Sequence, residues 1–86
     1  MTFDQWIDSV NADLHGRLGK SVRTEELSWD SAMWVGSGGT VVASLDTNES
    51  TVAFDFDNGE KLSLSYQEAV PESVSATIAA RLSARA

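Results

Sequence analysis

The chain has 86 residues, with thirteen acidic side chains against six basic ones, a formal charge of −7 and no cysteine. That length suits one domain near the small end of what folds unaided. The missing thiols exclude disulfides, catalytic cysteines and thiolate zinc sites, and the negative field disfavours nucleic acid and anionic membranes while favouring cationic partners.

Residues Thr2–Arg17 predict an amphipathic helix. Phe3, Trp6, Ile7, Val10 and Leu14 recur at helical spacing and form one apolar stripe. Thr2 suits the N-cap, Asp4 suits the positive helix end, and Gly16 or Gly19 marks the stop. Asp4, Asp8, Asn11 and His15 fall at i, i+4, i+7 and i+11 and share one polar face. The spacing would suit a divalent metal, but a solvated helix face needs no such role.

Two readings of residues 24–36 stand. A short helix would begin at Thr24, with Glu25 and Glu26 in its first turn and Gly36 as its stop. Alternatively, Ala32–Gly36 is a strand leading through a Ser37-Gly38-Gly39 turn, which Trp34 and Val35 favour. Trp29, Met33 and Trp34 cluster in and beside a stretch, residues 31–45, that carries no charge. Trp34 is the candidate aromatic anchor for a partner; as a structural residue it would cap the edge of the core.

From Thr40 onward the pattern has period two. A four-residue loop, Thr47-Asn48-Glu49-Ser50, pairs Leu45 with Val52, Ala43 with Phe54 and Val41 with Phe56. Asn58-Gly59 suggests a two-residue turn, but that turn sets Asp57 against Glu60 and throws the apolar sets onto opposite faces. A three-residue loop, Asp57-Asn58-Gly59, matches Phe54 with Leu62, Val52 with Leu64 and Asp55 with Lys61, with Gly59 in the left-handed position. One face is then dry, from Val41 to Tyr66, and the other is small, polar and acidic.

A second helix is expected from about Pro71 to the end, with Val74, Ile78 and Leu82 recurring every four residues. The expected fold is α+β: a single two-layer domain over residues 1–86, with an antiparallel meander of three or four strands packed on an N-terminal and a C-terminal helix.

Asp4 and Asp8 interrupt any export signal, and no apolar run reaches membrane-spanning length, so a soluble, cytoplasmic protein is expected. His15 is the only histidine and has no serine motif beside it. Gly36-Ser37-Gly38-Gly39 lacks the lysine of a phosphate loop, and Asp55 with Asp57 on an open sheet offers no cleft. No enzymatic activity, cofactor or metal is therefore expected.

Residues 46–72 hold seven acids and one base. In size and charge the chain resembles small acidic inhibitors that occupy nucleic-acid-binding clefts: phage anti-CRISPR and anti-restriction proteins, and immunity proteins or antitoxins against nucleases. What this implies is a non-enzymatic binding protein that blocks a basic partner, such as a nuclease or CRISPR-effector subunit. The expected contact residues are Asp46, Glu49, Asp55, Asp57 and Glu60 as phosphate mimics, together with Trp34. The alternative is a structural or adaptor domain that forms a homodimer, through the uncharged stretch around Trp34 or an open edge at Leu62–Tyr66.

Overall fold

In the computed structural model, which describes residues 2–83, a five-stranded antiparallel sheet carries two helices on one face. The order is α1 (Phe3–Leu18), β1 (Arg23–Ser28), β2 (Ser31–Gly36), β3 (Gly39–Asp46), β4 (Thr51–Phe56), β5 (Lys61–Ser65) and α2 (Pro71–Leu82). The strands lie in the sheet in chain order, so each pairs with the next through a short turn. The α+β meander between terminal helices matches the expectation, with one strand more than the upper count. No helix among the described residues is long and apolar enough to cross a membrane.

Helix α1 forms where the stripe predicts. Thr2 caps it reciprocally: its hydroxyl accepts from the Gln5 amide at 3.2 Å, and its own amide donates to Gln5 Oε1 at 3.0 Å. Of the two candidate stops, Gly19 is the one used; its φ of 57° lies in the left-handed region that glycine adopts without strain. Phe3, Trp6, Val10 and Leu14 are buried against the sheet and against Val74, Ile78 and Leu82 of α2. Pro71 opens α2 at its first turn, and the part of this helix expected beyond Ser83 lies outside the described residues.

The expected registers of the meander are present pair for pair. Leu45 faces Val52, Ala43 faces Phe54 and Val41 faces Phe56; Phe54 in turn faces Leu62 and Asp55 faces Lys61. Gly59 has φ of 92°, and the Phe56 amide bonds the Glu60 carbonyl at 2.9 Å, closing the three-residue loop. Parity explains why this register wins, since a one-residue slip would expose Phe54, now wholly buried between Trp6 and Trp34.

Residues 24–36 are sheet, not helix. Strand β2 pairs with β3 as far as Gly36 opposite Gly39, and the polar segment Arg23–Ser28 adds the unexpected fifth strand, with a bulge at Leu27. The glycines of the β2–β3 turn are set by packing. A Cβ on Gly36 would stand 2.5 Å from the Leu82 carbonyl oxygen, and the Gly38 amide donates to that same oxygen at 3.2 Å. The turn is therefore the seat of the C-terminal end of α2.

A polar network joins α1 to the sheet edge. Asn11 Oδ1 accepts from Trp34 Nε1 at 2.9 Å and from the Thr24 hydroxyl at 2.8 Å. Thr24 Oγ1, having given up its proton, accepts from His15 Nε2 at 2.8 Å. Asn11 and His15 are thus half-buried connectors rather than members of a solvated stripe. Asp13 links the helices: its carboxylate accepts from Arg17 Nε at 2.7 Å and from the buried Ser75 hydroxyl of α2. These two hydrogen bonds, from Arg17 first and Ser75 second, hold the Asp13 carboxyl below the ordinary aspartate value.

Candidate partner-binding surface

An antiparallel meander places its turns alternately at two ends. One end carries the start of β1 at Arg23, the Ser37-Gly38 turn and the Asp57–Gly59 loop. The other carries the Trp29-Asp30 turn, the Thr47–Ser50 loop and the exit from β5. Helix α1 begins at the second end, where Phe3 and Asp4 line a cavity with Ser28 and Trp29, and finishes at the first, where His15 meets Thr24. Helix α2 likewise ends at the first, with Leu82 on Gly36 and Gly38.

This arrangement separates the charges. The described bases, Arg17, Lys20, Arg23, Lys61 and Arg81, all lie towards the glycine-turn end. Four of them are paired there: Arg17 with Asp13, Arg23 with Glu25, Lys61 with Asp55, and Arg81 with Glu60. The carboxylates without an ion pair among the described residues are Asp4, Asp8, Glu26, Asp30, Asp46, Glu49, Asp57, Glu68 and Glu72. All except Asp57 lie towards the Trp29 end. The net negative charge is therefore concentrated at one pole, a feature that only the topology reveals.

The expected contact residues divide accordingly. Asp46 and Glu49 are exposed at the acidic pole, on the end of β3 and the loop after it. Asp46 Oδ1 accepts from the Asn48 amide at 3.0 Å, which orders that loop. Asp55 lies on the uncovered sheet face, but one of its oxygens is shielded and meets Lys61 Nζ at 3.5 Å. Glu60 is bound by Arg81, whose guanidinium also stands 5.1 Å over the Phe56 ring. Asp57 does not share an open face with Asp55. Its Oδ2 accepts from the Thr40 amide at 3.0 Å, while its own amide donates to the Thr40 carbonyl at 3.1 Å, extending the β3 ladder by a side chain. The five acids thus form no single surface: two have no ion pair among the described residues and lie at one pole, and three are engaged by other strands or helices nearer the other.

Trp34 is fully buried, stacked on Phe54 with ring centroids 6.3 Å apart, so the expected anchor is a core residue. The exposed aromatic is its neighbour in the cluster, Trp29, which is 71 % accessible. Burial of Trp6 and Trp34 is chemically complete, because Trp6 Nε1 donates to the Ala69 carbonyl at 3.1 Å and Trp34 Nε1 to Asn11. Trp29 is left with no comparable duty. It sits beside a groove between α1 and β1, where two adjoining cavities of about 270 and 280 Å³ share Ile7, Asp8 and Glu26. Sequence reasoning missed this groove because β1 carries no apolar alternation to reveal it as a strand.

The uncovered sheet face is not uniformly acidic. A row crosses it from Glu25 through Met33, Val42 and Asp55 to Lys61, with charges at the rim and half-buried apolar groups between. Comparison with family models, with curated proteins and with solved structures finds no match to the chain.

Proposed function

We propose that this is a small, non-enzymatic, cytoplasmic binding protein that blocks a basic, nucleic-acid-handling protein, in the manner of phage anti-CRISPR, anti-restriction or nuclease-immunity proteins. The observation that carries the reading is the charge separation: carboxylates with no ion pair among the described residues gather at one pole beside an exposed tryptophan. Such a pole presents negative charge where a basic cleft expects phosphate, and it orients the encounter. Asp46 and Glu49 are the contacts favoured among the acids first identified, because Asp55, Asp57 and Glu60 are each already engaged by a neighbour.

The test is charge reversal at the pole. Asp46→Lys with Glu49→Lys should leave the domain folded at a cost of about 0.5–1.5 kcal/mol, because both side chains are exposed and Asp46 loses its bond to the loop amide of Asn48. Partner captured from host lysate by the wild-type protein should be lost with this double variant, and its nucleic-acid binding should be inhibited by wild type alone. Equal capture by both forms, or a captured partner that handles no nucleic acid, would reject the reading.

The free edge of β5 favours a second reading, self-association. Its Leu62 and Leu64 are half-buried and its outer edge pairs with no other strand among the described residues. A concentration-dependent dimer on a sizing column, insensitive to salt, would identify it.

A further inference from the structure

We propose that the groove between α1 and β1 seats an arginine-bearing segment of the basic partner, with a guanidinium stacked on Trp29 and paired to Asp8 and Glu26. This inference rests on the basic-partner reading and gives that partner a docking chemistry. The groove arises from topology. Glu26 projects to the helix-bearing side of the sheet, opposite Ala32, but from an edge strand that α1 does not fully cover. Ile7 and Trp34 supply an apolar floor, Asp8 and Glu26 the acidic walls, and Trp29 the rim.

Charge selects the occupant. Neither Asp8 nor Glu26 has an ion-pair partner among the described residues, and the described bases lie towards the opposite pole. A second copy of this chain would bring its own charge of −7 to the groove, and nucleic acid would be repelled. A guanidinium meets each requirement at once: a flat face for the indole, forked donors for carboxylates, and an alkyl stem for Ile7. Trp29 lines the groove and is 71 % exposed, an apolar surface that folding leaves unused.

The probe is a short peptide of alternating arginine and glycine, with a citrulline counterpart of the same shape and no charge. Affinity is measured by titration calorimetry and tryptophan emission reports the site, because Trp6 and Trp34 are buried and Trp29 is exposed. The arginine peptide should bind and shift the emission, and the citrulline peptide should not. Trp29→Ala should weaken binding by roughly tenfold and abolish the emission change. Asp8→Asn with Glu26→Gln should weaken it comparably, with circular dichroism confirming that each variant is folded. Unchanged affinity in Trp29→Ala, or equal binding of both peptides, would overturn the proposal. Loss of binding only in Asp46→Lys with Glu49→Lys would remove the groove and leave the basic-partner reading standing. Absence of peptide binding to wild type would also remove the groove, and partner capture would judge the other reading separately.

Discussion

Replacing Asn11 with alanine sets two effects of opposite sign against each other. Asn11 lies in the interior of α1, where alanine is the better helix former by about 0.6 kcal/mol. If Asn11 were only a solvated helix residue, the variant would be the more stable protein. Its Oδ1, however, is the acceptor for the indole N–H of Trp34, which is wholly buried. Removing that acceptor leaves a buried donor unpaired, at about 1–3 kcal/mol. The half-buried Thr24 hydroxyl loses its acceptor as well. The net expectation is a loss of roughly 0.5–2.5 kcal/mol, measured by urea denaturation with the dependence on denaturant unchanged. Asn11→Asp keeps an acceptor oxygen in place and should lose less than half as much. The Trp34 indole proton should also exchange faster in Asn11→Ala. An alanine variant as stable as wild type, or more so, would refute the network as a determinant of stability.

Phe54→Ala removes a ring packed between Trp6 and Trp34 and should cost about 3–5 kcal/mol, lowering the melting temperature by on the order of 10–40 °C; an unchanged melt would contradict the core assignment. Gly36→Ala should destabilise by roughly 1–3 kcal/mol, because the new methyl group meets the backbone of Leu82, whereas Gly16→Ala meets nothing and should be neutral or stabilising in the same melt. Asp13 has a carboxyl held below its ordinary value of 3.8, so its contribution is whole above that value and disappears as pH falls through the lowered folded value. The stability gap between wild type and Asp13→Asn, measured by denaturation across pH, should therefore be flat near neutrality and shrink only in acid. A gap that grows in acid would contradict the hydrogen bonds from Arg17 and Ser75.

The meander from Thr40 to Ser65 was legible in the sequence because both of its faces alternate and two loops had to satisfy one parity condition. Helix α1 was legible for a similar reason, its stripe being closed by a capping threonine. Strand β1 was not. Thr24 and Glu26 point to the helix-bearing side yet are polar, since the edge lies beyond full cover and Thr24 is satisfied by Asn11 and His15. The placement of the tryptophans was half legible. The cluster was visible, but burial of Trp34 follows from its side of β2 and exposure of Trp29 from its place in the turn before it, which reversed the intended anchor. Of the acids, local sequence showed a crowd between Asp46 and Glu72. It did not show that Glu60 would meet Arg81 or that Asp57 would complete the β3 ladder, because both contacts join segments distant in the chain.

The docking of α2 on the Gly36–Gly38 turn has a practical outcome for handling the molecule. Ser83 emerges beside the basic end, on the far side from Trp29, whereas Thr2 opens next to the groove. Attachment to a sensor chip through the carboxyl-terminal side would leave the carboxylate-rich tip facing solution. A fusion on the amino-terminal side would crowd it, and the two orientations should report different apparent affinities for the same cationic analyte.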